Sequence, residues 1–469
     1  MNNFIFKYLG VFFLLISFFC FFNIIYLYYF ENLTYLNNYI ATFLINLVLG
    51  IFLTFNKKYK FIKISLYERI FSVLAGYILL PITISLPYIF SFENISFING
   101  YFEAISGFTS TGFTVFNDLN YVDQTIILWR SASQWIGGLY FLFSILLLID
   151  IFDRNLKKSL TNYISYNYSE IFKQSFKIII IYILMTLLIF ILLKLINLRS
   201  YDAYNYSLTI ISSGGFLPNN NFDVIFSSDL SKIILSSCML LSFFSLFFIF
   251  NLIFFKKKNI TYLSEDFNIL IYLLFVITIS FIFFNYENNF LNILVSISSS
   301  VSNIGFSFSE IPNNLDFFFL LLVILGGSFF STSSGIRVIK VITLIKFSIN
   351  NVLSHTKPNQ IYSNKLSLNR ISLDTNDINK YFLSILIFVF SLIVITLLLT
   401  LSNLDFETSF KLSILTIMNT VNSEIYNLSN LNFYEFTSFN KISLIIFMII
   451  GRIELLSIVL LSKKFLFKN

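Results

Sequence analysis

Long apolar runs alternate with short polar connections from one end of the chain to the other. About 20 apolar residues make one membrane crossing, and runs of that order fall near 6–30, 39–56, 70–92, 125–150, 174–198, 230–255, 267–286, 315–347, 379–402 and 438–462. Four connections, 93–124, 199–229, 287–314 and 403–437, are too long for tight turns, and each holds a half-length apolar segment at 98–108, 201–211, 290–301 or 406–418. Segments of roughly 10–14 residues cannot cross a bilayer and suit re-entrant helices. Each closes on a polar turn: Ser110-Thr111-Gly112-Phe113, Ser212-Ser213-Gly214-Gly215, Asn303-Ile304-Gly305-Phe306 and a glycine-free Thr420-Val421-Asn422-Ser423. Span, short helix, polar turn and span, repeated four times, is what one chain needs to wrap four non-helical segments around an axis, as in an ion pore.

The pattern predicts an all-α polytopic membrane protein with four pseudo-repeats of helix, re-entrant pore loop and helix around a central pore, plus an N-terminal helix pair. The divisions are an N-terminal transmembrane hairpin over 1–65, then pore repeats over 66–150, 151–258 and 259–350, and a cytoplasmic loop with the fourth repeat over 351–469. In the third repeat, the Gly/Ser-rich stretch 326–335 interrupts an apolar span. Non-helical backbone at that depth is tolerated where it lines a cavity.

Composition supports the pattern. With 57% hydrophobic and 12% charged residues and a mean hydropathy of +0.81 over 469 residues, the chain is not a soluble globule, whose charged fraction is about 25%. The two cysteines, Cys20 and Cys238, lie in apolar spans, and the single histidine, His355, lies in a polar connection. That inventory supports neither a disulfide framework nor a Cys/His metal site. The run 8–30 is too long for a signal-peptide core and reads as a retained first span.

Charge sets the expected sidedness. The net charge of +7 sits between spans, where membrane lipid headgroups and topology explain it better than nucleic acid. Lys57, Lys58, Lys60, Lys63, Arg69, Arg154, Lys157, Lys158, Lys173, Lys177, Lys256 to Lys258 and Lys463, Lys464 and Lys468 share one side with the basic connection 337–380. The positive-inside rule makes that side, with both termini, cytoplasmic. Opposite loops collect Glu93, Glu103, Asp118, Asp123, Asp202, Asp223, Asp316, Asp405, Glu407, Glu424 and other acids, a cation-attracting mouth. Arg130 and Lys232, near span starts, are expected to snorkel to the interface.

A cation filter replaces the hydration shell with inward-pointing carbonyls on extended backbone, which glycine tolerates best. Gly112, Gly214 and Gly305 are expected to hold equivalent positions, with Asn422 as the fourth. Thr111, Ser213 and Asn303 flank them, and the short helices' C-terminal dipole ends would favour a cation at the axis.

Several stretches also carry a family resemblance: Phe102-Glu103-Ala104-Ile105-Ser106-Gly107-Phe108-Thr109-Ser110-Thr111-Gly112, Trp129-Arg130-Ser131, Gln134-Trp135-Ile136-Gly137-Gly138, Ser212-Ser213-Gly214-Gly215-Phe216, Gly326-Gly327-Ser328 running to Ser331-Thr332-Ser333-Ser334-Gly335-Ile336-Arg337, and Gly451-Arg452-Ile453-Glu454. The chain resembles the Trk/Ktr/HKT superfamily of K⁺ transporters, and within it the bacterial Trk membrane subunit of TrkH type. The resemblance implies K⁺ uptake across the bacterial inner membrane, with K⁺ as the transported ion, no enzyme chemistry and no covalent cofactor. It implies a K⁺ selectivity filter at Thr111, Gly112, Ser213, Gly214, Ile304, Gly305, Val421 and Asn422. The gate it implies comprises Gly326, Gly327, Ser331, Thr332, Gly335 and Arg452, with 326–335 as an intramembrane loop beneath the filter. As partners it implies a second copy in a homodimer and a cytoplasmic RCK-type ring binding NAD or ATP.

The fourth turn departs from that family, which has glycine where this chain has Asn422 and usually a Gly-Pro-Gly-like run where it has Asn422-Ser423-Glu424. The alternatives are therefore a Na⁺-permeable or poorly selective cation transporter, or a non-conducting regulatory homologue. Gly112 leans towards K⁺, because in the plant branch its loss accompanies Na⁺ preference.

Overall fold

The computed structural model describes residues 3–31, 34–55, 65–152, 168–253, 263–284, 290–308, 315–356, 375–453 and 457. Lys57, Lys58, Lys60, Lys63, Arg154, Lys157, Lys158, Lys256 to Lys258, Glu454, Lys463, Lys464 and Lys468, all used above, lie outside them. The described residues are almost entirely helical: α1 (Asn3–Tyr29), α2 (Leu36–Phe55), α3 (Leu66–Ile84), α4 (Leu86–Ser91), α5 (Phe97–Phe108), α6 (Gln124–Phe152), α7 (Tyr168–Leu195), α8 (Ser200–Ile211), α9 (Phe222–Ile225), α10 (Asp229–Phe243), α11 (Leu246–Ile253), α12 (Leu263–Phe284), α13 (Phe290–Val301), α14 (Asp316–Ile324), α15 (Val338–Thr356), α16 (Thr375–Thr400), α17 (Phe406–Met418) and α18 (Ser438–Arg452). Among them, seven are long and apolar enough to cross a membrane, including Gln124–Leu148, which is wholly buried inside the protein. The chain is a multi-pass membrane protein.

Helix starts follow local chemistry. Ser65 caps α3 in a reciprocal pair with Glu68, while Ser96 and Asp405 cap the short helices α5 and α17 through the amides of Asn99 and Thr408. At Asp405, hydrogen bonds from the Thr408 hydroxyl and amide hold the carboxyl below its ordinary range, so the cap stays charged. The four half-length segments form helices α5, α8, α13 and α17, beginning within a residue of the sequence boundaries.

Two apolar runs open into non-helical backbone, besides the one-residue turn at Ser85 that parts α3 from α4. The run 230–255 breaks between α10 and α11, and 315–347 opens into a loop between α14 and α15. The last run, 438–462, is described as helix only to Arg452. The break in 230–255 contains neither proline nor glycine. It persists because the backbone groups it frees find partners elsewhere: the amides of Ser245 and Leu246 donate to Asp266 Oδ1 (3.0 Å) and the Phe330 carbonyl (3.1 Å). The carbonyls of Ser242 and Phe243 accept from the amides of Thr332 (3.2 Å) and Ser328 (3.1 Å). Without such partners each orphaned group would cost several kcal/mol in an apolar medium.

Two apolar clusters surround the centre. One joins α1, α3, α6, α7 and α8; the other joins α12, α13, α14, α16, α17 and α18. Buried hydroxyl and indole donors cross-link the first cluster, with Tyr39 Oη on the Thr125 carbonyl (3.0 Å), Trp129 Nε1 on Ile84 O (2.9 Å) and Tyr140 Oη on Val73 O (2.8 Å). Glycine permits the closest approach to another helix's backbone at Gly137 of α6. A methyl group there would lie 1.9 Å from the Phe108 carbonyl oxygen, at the end of α5. Because that neighbour is backbone, Gly137→Ala is expected to destabilise the fold by at least about 1–3 kcal/mol, read as a lowered Tm of the purified protein in detergent. An unchanged Tm would show that α6 can retreat from α5 without cost.

Candidate functional site

Where the four short helices end, the chain repeats one local geometry. The last residue of each helix terminus turns left-handed, at Ser110 (φ 56°), Ser213 (φ 54°), Asn303 (φ 60°) and Asn419 (φ 50°). The next amide reaches five residues back: Thr111 to Ser106 O (2.9 Å), Gly214 to Thr209 O (2.8 Å), Ile304 to Ser299 O (2.9 Å) and Thr420 to Leu415 O (3.0 Å). This shared bond sets the register. One residue further on stand Gly112, Gly215, Gly305 and Val421.

The expected register therefore shifts by one residue in two turns. Gly215, not Gly214, is the counterpart of Gly112 and Gly305, and Val421, not Asn422, is the fourth member. Gly214 has another reason to lack a side chain, since a methyl group on it would lie 2.4 Å from Gln134 Cδ. The Gln134 amide, oriented to satisfy its neighbours, accepts from the amides of Gly215 (3.1 Å) and Phe216 (3.2 Å). Asn422 turns away from the ring and donates to the Leu428 carbonyl at 3.0 Å.

The four residues converge on one place. A methyl group on Gly112 would lie 2.9 Å from both Gly215 Cα and Val421 Cβ; one on Gly305 would lie 2.5 Å from Val421 Cγ1. Hydrogen bonds link the turns laterally: Asn419 Nδ2 donates to Thr111 Oγ1 (3.0 Å), and Asn303 Nδ2 to Thr420 Oγ1 (3.2 Å). Asn419 also holds Met448 O (2.9 Å) and Asn303 holds Val323 O (2.9 Å), tying the ring to α18 and α14.

Above the ring opens a cavity of about 570 Å³ whose floor includes Gly112, Gly215 and Val421 and whose walls carry Arg130, Asp223, Asn422 and Glu424. The acidic mouth read from the sequence is thinner than expected. Glu103 is fully buried and accepts from Arg130 Nε (2.8 Å), the Val115 amide (2.9 Å) and Thr114 Oγ1 (3.1 Å). Asp316 pairs with buried Lys411 at 2.5 Å. Nor does Arg130 snorkel: it is 1% exposed, with its guanidinium 4.1 Å from the Phe216 ring centre. Lys232 is likewise buried, 5.1 Å from the Phe308 ring centre.

Below the ring lies the 326–335 loop. A two-residue parallel bridge, β1 (Leu325–Gly326) against β2 (Ile336–Arg337), closes its neck. Gly326 fits there because a methyl group would meet Ser334 O at 2.0 Å, and Gly335 takes φ 89°. Arg337 braces the loop from inside, donating to Ser328 O (2.8 Å), Ser331 Oγ (3.1 Å) and Ser333 O (3.0 Å). Ser331 Oγ in turn bonds Ser333 Oγ at 2.9 Å, and the Gly327 amide donates to Ser333 Oγ at 3.0 Å. Thr332 Oγ1 lies 3.1 Å from Ser213 Oγ, a direct link from loop to ring.

Arg452 stands between loop and ring. It is 1% exposed, donates to Ser334 Oγ in the loop, and reaches Ser110 Oγ and Ser212 O in the first two turns at 3.4 Å each. Its guanidinium stacks 4.0 Å from the centre of the Phe141 ring. Among the described residues no carboxylate pairs with it. Sequence reasoning brought together the four turns, the loop and Arg452. It missed the bracing role of Arg337, although the residue lay in a quoted motif, and the Glu103–Arg130 pair, whose partners are 27 residues apart.

Comparison with known proteins agrees with this architecture. Residues 284–468 match the family described as TrkH, cation transport protein. Over 433 residues the chain is 22% identical to the Trk system potassium uptake protein TrkG of Escherichia coli K12, covering 87% of this chain and 85% of that protein. It is 26% identical over 275 residues to an uncharacterised cation transporter of Methanocaldococcus jannaschii, spanning 56% of this chain and 55% of that protein's length. The crystal structure of the potassium transporter TrkH from Vibrio parahaemolyticus superposes with a TM-score of 0.86 at 19% identity, over 98% of both chains, and so shares the fold.

Proposed function

We propose, on the premise that this chain is a TrkH-type relative of the Trk potassium uptake proteins, that it carries K⁺ inward across the bacterial inner membrane, with both termini cytoplasmic. The observation that carries the reading is the convergence of four equivalent turns, three of them with glycine in the shared register, between an outer cavity and a buried loop.

Cations gather in the outer cavity beside Asp223 and Glu424 and exchange water for backbone oxygen at the turns around Thr111-Gly112, Ser213-Gly214-Gly215, Ile304-Gly305 and Thr420-Val421. The 326–335 loop and Arg452 then form the gate, and the membrane potential drives net uptake. A filter of carbonyl dipoles in this arrangement needs no cofactor. The four pore repeats follow the hairpin 1–65, with divisions near 150, 258 and 350. Two copies associate, and an RCK-type ring that binds NAD or ATP acts on the cytoplasmic side, pulling the gate loop through α15.

Purified protein in liposomes is expected to take up ⁸⁶Rb⁺ above the level of empty vesicles when a negative interior potential is imposed, with K⁺ competing better than Na⁺. Absence of uptake by inserted, folded protein would remove the transport reading. Equal competition by Na⁺ would replace it with a poorly selective cation pathway.

A further inference from the structure

The side chain of Val421 lies among the three glycines of the ring. A methyl group on Gly215 would lie 2.4 Å from Val421 Cβ and 2.7 Å from Cγ1, and one on Gly305 would lie 2.5 Å from Cγ1. The same valine Cβ is 2.9 Å from a methyl group on Gly112. One isopropyl group thus abuts all three glycines at the level where the turns meet, and Val421 also lines the floor of the outer cavity. Its backbone, unlike those of Gly112 and Gly305 at φ 87° and 86°, is not left-handed, so a β-branched residue sits there without backbone strain.

We propose that Val421 is a built-in hydrophobic plug that limits both the rate and the size range of cation passage through this chain. The inference rests on the transport reading and adds a residue that sets throughput to it. The physical reason is that the group has no lone pair to replace water around a cation, so a narrow apolar collar opposes entry by dewetting. Passage requires the fourth turn to yield. That turn is the one of the four whose ring position combines a side chain with partial exposure to the outer cavity. Its neighbours resist the movement: Thr420 is held by Asn303, and Asn419 by Met448 and Thr111.

The test compares wild type, Val421→Gly and Val421→Ala in proteoliposomes, reading ⁸⁶Rb⁺ and Cs⁺ uptake, together with K⁺-dependent thermal stabilisation in detergent. The expected result is slow Rb⁺ uptake and Cs⁺ exclusion by wild type, at least tenfold faster Rb⁺ uptake with Cs⁺ entry in Val421→Gly, and an intermediate Val421→Ala. If Val421→Gly fails to fold, Val421→Ala carries the comparison. Where wild type takes up Rb⁺, folded variants no faster than it would overturn the plug and leave transport standing. Should no protein move Rb⁺ while K⁺ raises the Tm of the glycine variant but not of wild type, the plug stands and the transport reading falls. No flux and no differential stabilisation would remove both.

Discussion

Arg130→Ala is expected to cost this protein about 3–5 kcal/mol of stability, the usual penalty for leaving a buried carboxylate without its counter-charge. The carboxylate is Glu103 in α5, fully buried and bonded to Arg130 Nε at 2.8 Å. Glu103 does more than neutralise the arginine. Through the Val115 amide and Thr114 Oγ1 it holds the chain that leaves the first turn, two to three residues beyond Gly112. Arg130 in turn packs over Phe216, which directly follows Gly215 in the second turn. The pair therefore joins two neighbouring turns behind the ring, and its loss is expected to loosen both. Removing both charges together should cost less than removing one, because no uncompensated ion remains. Size-exclusion profiles and Tm values in detergent should rank wild type first, then Glu103→Gln/Arg130→Met, then Arg130→Ala. A Tm for Arg130→Ala equal to that of wild type would show that water or another cation already screens Glu103.

That pair illustrates what the sequence could and could not disclose. The half-length helices were legible because apolar segments of the wrong length for crossing end abruptly on Ser, Thr, Asn and Gly, and their starts carry caps such as Ser96 and Asp405. The resemblance pointed to the 326–335 loop and Arg452, which the fold places beside the turns. Three things were not legible. The ring register depends on an amide reaching five residues back from each helix end, and the second turn offers two adjacent glycines while the fourth offers none. A count from flanking motifs therefore chose Gly214 and Asn422, where the bond selects Gly215 and Val421.

The second was the break after Phe243. Nothing in an apolar, Phe-rich run marks it, since its cause is a loop some 90 residues later that supplies the missing partners, as in the contact of Thr332 with Ser242. The third was the fate of the charges. Glu103, Arg130, Asp316 and Lys411 look like interfacial residues one at a time, and become structural ion pairs once the fold joins them. Sidedness rules sort charges by loop, but pairing is decided in three dimensions.

On the transport reading, with the proposed plug removed, Arg452 is expected to be the next barrier, and its neutralisation should give the larger second gain. A monovalent cation passing about 6 Å from a fixed guanidinium meets roughly 3 kcal/mol of repulsion at an effective dielectric constant near 20. That is about a hundredfold in rate. Barriers in series are governed by the highest, so Arg452→Gln in the otherwise native chain should show only part of this effect. In the Val421→Gly background it is expected to raise ⁸⁶Rb⁺ uptake by about tenfold to a hundredfold. Arg452 also has a bonding role, reaching Ser334 in the loop and Ser110 and Ser212 in the turns. Three substitutions in that background separate the roles: glutamine keeps donors but loses charge, lysine keeps charge but loses the planar fork, and alanine loses both. If charge is the barrier, glutamine and alanine speed uptake while lysine stays slow. If Arg452 acts by fastening the loop, lysine and alanine speed uptake and glutamine stays near the parent rate. Uptake unchanged in all three, with equal insertion, would place the conduction path away from Arg452.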